Sequence, residues 1–126
     1  MNVALWIIAS VLAVAFLAAG AMKLTQPKEK LITAGMGWTE DFSARTIKTI
    51  GLLEVLAAVG LILPAALDIV PVLVPLAALG LVLLMLGAII THARRHEPAP
   101  IVVNLVLLLL AALVAWGRFG PESFTS

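Results

Sequence analysis

Four runs of the chain, Val3 to Met22, Ile47 to Leu63, Ile69 to Ile90 and Ile101 to Gly117, are apolar almost throughout. Each is about 17 to 22 residues long, the length at which a helix crosses the hydrocarbon core of a bilayer. Membrane-spanning strands would alternate apolar and polar residues, and these runs do not. The pattern therefore predicts an all-α polytopic membrane protein: a single domain over 1–126, built as an up-down bundle of four transmembrane helices at about 3–23, 40–63, 69–92 and 101–117. No Lys or Arg precedes the first run, and it is longer than a signal core, so it is expected to be a retained helix.

The connections carry their own signals. Pro27 followed by "KEKLITAGMG" predicts a short amphipathic helix lying along the membrane surface, with Leu31, Ile32 and Met36 dipping into lipid. Thr39 offers an N-cap, with Glu40 and Asp41 in the first turn of the second spanning helix, which is expected to run on to Pro64. Asp68 is expected to cap the third helix in the same way, with Pro71 and Pro75 near its start.

Composition narrows the function classes. The chain is 63% hydrophobic and 12% charged, more apolar surface than a soluble core absorbs. Its net charge of +1 comes without a basic stripe, which argues against a nucleic-acid partner. Cysteine is absent from the sequence, so disulfides, thiolate metal sites and dithiol redox chemistry are excluded, and electron transfer would need a bound cofactor or a partner. Lys23, Lys28, Lys30, Arg45 and Lys48 fall between the first two helices and Arg94 and Arg95 between the last two, leaving only Arg118 for the other side. The positive-inside rule then places both termini outside the cytoplasm. Trp6 and Trp116 are expected in one interfacial aromatic belt and Trp38 in the other.

Within the four apolar runs two side chains are normally charged at neutral pH, Lys48 at the very start of the second run and, deeper in it, Glu54. It lies about seven residues into the second run, roughly 10 Å deep at 1.5 Å per residue. Ile50, Gly51, Ala57 and Ala58 on its own helix face supply no cation, so its partner must come from another helix. Lys23, His92 and Asn104 are the candidates, since an up-down bundle brings all three to the same end. A pair with Lys23 is the favoured neutralisation, with His92 and Asn104 turned towards the same point. Small-residue faces through Ala15 and Ala19, through Ala111 and Ala115, and through Ala77, Gly80, Gly87 and Thr91 are expected to let the helices pack closely. Two readings of the polar cluster stand side by side: a pocket for the head group of a membrane-dissolved molecule or for proton passage, and an ion pair that fixes helix register. His92 and His96 stand four apart beside Glu97, a ligand spacing, but Arg94 and Arg95 between them would repel a cation, so no metal is expected.

"AGAMKL" closing the first run, "GLLEVLAAVGLIL" in the second and "ITHARRHE" before "NLVLLLLAAL" together resemble the DoxX-like family of small four-helix membrane proteins, over nearly the whole chain. Its Gly-x-x-Lys-Leu motif corresponds to Gly20, Lys23 and Leu24, and Gly-x-x-Glu to Gly51 and Glu54. The resemblance implies a bacterial inner-membrane protein. Some members of that family are subunits of a thiosulfate:quinone oxidoreductase, and others associate with redox-stress enzymes. The family offers no catalytic set to transfer. The reading is therefore an accessory subunit or binding protein, not catalytic on its own, with a pocket of Lys23, Glu54, His92 and Asn104 for a quinone-like or lipid-like molecule. The alternatives are a subunit of a membrane oxidoreductase using a quinone and a separate redox partner, and a structural scaffold in a membrane complex or homodimer.

Overall fold

The computed structural model describes residues 1–124. Four long helices, α1 (Asn2–Thr25), α3 (Ala44–Ala66), α4 (Leu73–Arg94) and α5 (Pro98–Phe119), alternate in direction, with a short helix α2 (Lys28–Thr33) and a 3-10 turn over Gly37–Asp41 in the first connection. No strand occurs among the described residues. At 22 to 24 residues the long helices reach about 33–36 Å, enough to cross a bilayer. Their outer faces carry large exposed apolar side chains, such as Val3 (71%), Leu83 (62%) and Val102 (62%). Such a surface needs lipid as its solvent, and the helices satisfy their own backbone groups within it.

The helix ends depart from the expected caps. Ser43, not Thr39, caps α3, its Oγ accepting from the Thr46 N–H at 3.2 Å. Thr39 lies fully buried in the 3-10 turn, where its hydroxyl donates to the Met36 carbonyl at 2.7 Å. Asp68 does not cap α4 either. It takes a left-handed conformation (φ 52°) and closes α3: its N–H donates to Ala65 O and the Ile69 N–H reaches back to Pro64 O. That double closure leaves α4 to start at Leu73, with Pro75 in its first turn. His96 (φ 58°) closes α4 by the same device, with Glu97 N donating to His92 O at 3.0 Å.

The buried core occupies the end of the bundle that carries the two termini. Leu5, Leu12 and Phe16 of α1 meet Leu61 of α3, Leu81 of α4 and Val114 of α5 there. Leu5 fills the space that Gly117 leaves. Arg118, counted in the sequence as a tail charge, is buried here instead. Its guanidinium donates to Asn2 Oδ1 at 2.8 Å and to Glu122 O at 2.9 Å, and lies 3.9 Å from the centre of the Phe124 ring. The ring of Phe124 in turn meets Trp6. One guanidinium therefore ties the first turn of α1 to the end of α5, and its hydrogen bonds offset the cost of burying the charge.

The pairs α1–α3 and α4–α5 pack most extensively, and at the opposite, loop-bearing end a cavity lies among the four long helices. Leu31 of α2, expected in lipid, is instead buried in the protein near Ala44 and Ile47 of α3. An apolar side chain at the end of a bundle loses water equally well against a neighbouring helix, and the short link from Pro27 holds α2 within reach of that surface.

Candidate functional site

Helices α1 and α3 approach each other backbone to backbone. A methyl group added to Gly20 would lie 2.6 Å from Gly51 O, and one added to Gly51 would lie 2.8 Å from the Lys23 Cβ. The two glycines thus bring backbone against backbone and clear a path for the Lys23 side chain. Because α1 and α3 run antiparallel and every Cα–Cβ bond tilts towards its helix N-terminus, Lys23 leans into the membrane and Glu54 leans towards the loops. They converge at the glycine crossing, with Lys23 Nζ 2.7 Å from Glu54 Oε1 and both side chains more than nine-tenths buried. The ammonium also sits 5.6 Å from the centre of the Trp38 ring. Lys48 closes the end of α1 by donating to Leu24 O at 3.0 Å.

This pair forms part of the wall of a cavity of about 370 Å³ between the α1–α3 and α4–α5 pairs. Phe16, Leu84, Met85 and Leu107 give it an apolar floor and sides. Trp38 and Phe42, in edge-to-face contact with ring centres 5.7 Å apart, roof it from the first connection. Trp38, expected at the aromatic belt, is thus a wall of the site. Phe42 was not singled out by its sequence position, and only the fold of the loop brings it here. Ala15, Ala19 and Gly87, expected as packing faces, line the cavity too, and a methyl group added at Gly80 or Gly87 would touch nothing within 4 Å. That side of α4 is open, not packed. Of the third face, Ala77 lies against a neighbouring helix, at Gly60.

The four polar residues expected together all line this cavity, but they are not one hydrogen-bonded cluster. Lys23 and Glu54 are paired. His92 is engaged elsewhere: its Nδ1 lies 2.9 Å from Glu97 Oε1, a contact favoured by the closure of α4 at His96, which ties the Glu97 backbone to the His92 carbonyl. Asn104 has a buried amide nitrogen without a hydrogen-bond partner among the described residues. A buried donor left unmade costs roughly 1–3 kcal/mol, which a ligand oxygen would recover. His96 is exposed, so the two histidines do not share a face, and no cluster able to hold a metal ion is found among the described residues.

Outside the spanning segments, Arg95 bridges the two sides of the cavity mouth. Its Nη1 donates to Asp41 Oδ2 at 3.0 Å, and its Nε lies 3.4 Å from Glu97 Oε1. Asp41 ends the turn that carries Trp38, so the roof is tied to the α4–α5 connection. The hydrogen bond from His92 first, and the ion pair with Arg95 besides, hold the Glu97 carboxyl below its ordinary pKa against the opposing effect of burial.

The paired motifs Gly20/Lys23 and Gly51/Glu54 are thus one spatial unit, a crossing with an ion pair on it. The sequence model of the DoxX-like family matches residues 7–114. The chain belongs to the DoxX-like family. No significant match is found among curated proteins or solved structures. Family membership and four apolar helices make it a small, multi-pass integral membrane protein.

Proposed function

We propose that this DoxX-like protein is an accessory subunit or binding protein of a bacterial inner membrane, whose loop-end cavity receives the polar head of a quinone-like or lipid-like molecule. The observation that carries this reading is the unpartnered, buried amide of Asn104, a residue that lines the same cavity as the Lys23–Glu54 pair. The cavity is of the size and makeup of small-molecule sites: mostly apolar walls with a few convergent polar groups. Asn104 and Lys23 supply donors, so the fitting head group presents an acceptor oxygen, as a carbonyl does. Trp38 offers an aromatic face for a planar ring.

Trp38 also makes the test direct. Among three tryptophans it alone lines the cavity, and Trp6→Phe with Trp116→Phe leaves it as the sole reporter. In nanodiscs, decylubiquinone is expected to quench Trp38 saturably, and Asn104→Leu to weaken binding by about tenfold, the value of one hydrogen bond. Quenching that rises linearly, equally for a protein retaining only Trp116, would overturn the reading. Bound quinone that is reduced by a donor on the purified chain alone would instead make the protein an enzyme.

The excess of Lys and Arg on the α1–α3 and α4–α5 connections supports a cytoplasmic position for the cavity end. Since the chain has no cysteine, Lys30→Cys reports the side cleanly. The expected outcome is no labelling by a membrane-impermeant maleimide in intact spheroplasts and full labelling after lysis. Labelling from outside refutes the orientation.

A further inference from the structure

Two seams separate the helix pairs, α1–α5 and α3–α4, and both are closed at the termini end, by Leu5 against Gly117 and by Ala77 against Gly60. At the cavity each seam has exposed lining, Ala15 on α1 and both Gly87 and Leu83 on α4, so α4 presents the longer open edge. On α4 the cavity wall follows one continuous arc of the helix, from buried Met85 and His92 through Leu84 and Ala88 to exposed Gly87 and Leu83. The cavity surface therefore runs out to the lipid-facing side of α4. Across the seam, the lining residue on α3 nearest the loops is Ile50, half-buried. Gly87 stands at the edge of this arc with open space where a side chain would be. Its carbonyl accepts the Thr91 hydroxyl at 2.9 Å, so no polar group at this edge is left to repel a hydrocarbon chain.

We propose that the α3–α4 seam is a lateral portal, through which an amphipathic ligand passes from the bilayer with its head towards Asn104 and Lys23 and its chain left lying between Ile50 and Gly87. This rests on the binding reading above and adds the route and the class of ligand: a molecule with a compact acceptor head on a flexible apolar chain. A bare head group would need only the cavity; a chain needs the seam. Glycine at 87 is what keeps the gap open at mid-seam, since any side chain there projects into it.

The test uses the protein with Trp38 as sole tryptophan in nanodiscs, and two probes, decylubiquinone with a ten-carbon chain and duroquinone with none. Gly87→Phe is expected to weaken or slow decylubiquinone binding by about tenfold and to leave duroquinone binding nearly unchanged. A Cβ added at position 87 meets no atom within 4 Å, so the ring has room at its base; helicity and thermal unfolding verify that the variant folds, and Gly87→Ala, which fits the same space, covers a failure to fold with a smaller effect in the same direction. Ala15→Phe, on the rival seam, is the opposing arm. If it blocks decylubiquinone while Gly87→Phe binds at the wild-type rate, the portal is misplaced. Equal loss of both probes in Gly87→Phe also overturns the proposal, because the residue then acts on the head site. If neither quinone quenches the unsubstituted protein saturably, it is the binding reading that fails.

Discussion

Lys23→Met is expected to destabilise the bundle by about 3–5 kcal/mol, and Glu54→Leu by a similar amount, because each leaves one buried group of an ion pair without its counter-charge. The paired double variant is expected to return to within about 1 kcal/mol of the parent. The reason lies in the two opposing terms: bringing both groups out of water is expensive, their attraction at 2.7 Å offsets that cost, and removing both cancels both terms. A double-mutant cycle on reversible unfolding in mixed micelles measures the coupling directly. Additive losses would show that the two side chains do not act on each other. The same double variant separates fold from ligand recognition. If it is stable yet no longer binds decylubiquinone, the pair serves the cavity; if it is stable and binds as before, the pair is only a register device.

The second large effect belongs to the crossing. Gly20→Ala and Gly51→Ala should each cost about 1–3 kcal/mol, the range for overpacking, and Gly20→Ala should be the worse. At position 20 the obstacle is a backbone carbonyl, Gly51 O at 2.6 Å, which moves only if the whole helix moves. At position 51 the obstacles are the Lys23 Cβ at 2.8 Å and Gly20 O at 2.9 Å, equally fixed to the α1 backbone but slightly farther off. Either change forces α1 and α3 apart and lengthens the Lys23–Glu54 contact. A measured drop in unfolding free energy, together with altered Trp38 fluorescence as Lys23 withdraws from the ring, is the expected signature. Unchanged stability in Gly20→Ala would mean that the helices cross elsewhere.

Glu54 could be read as needing a partner from another helix because charge in hydrocarbon is costly whatever the fold, and Lys23 was the strongest cation at the right end. Asn104 was legible as a polar residue at that depth, but not as one left without a partner. His92 shows the limit of such reading: its position at the cavity is as expected, yet the left-handed closure at His96 hands its ring to Glu97. Asp68 misled for a related reason. A residue type favoured at helix starts also tolerates a left-handed conformation, and the neighbouring Pro64 and Ile69 decided which role it took.

By itself, the sequence determined the four spanning helices, their alternation and the depth of the one acid, because length, apolarity and the cost of unpaired backbone in lipid act on each segment separately. It took the assembled bundle to make Trp38 and Phe42 the roof of a cavity, to bury Arg118, and to set Gly87 at an opening and Gly20 at a contact. Those outcomes depend on where helix surfaces meet and where they part. A gap between two helices is a property of both, and neither stretch of residues carries it alone.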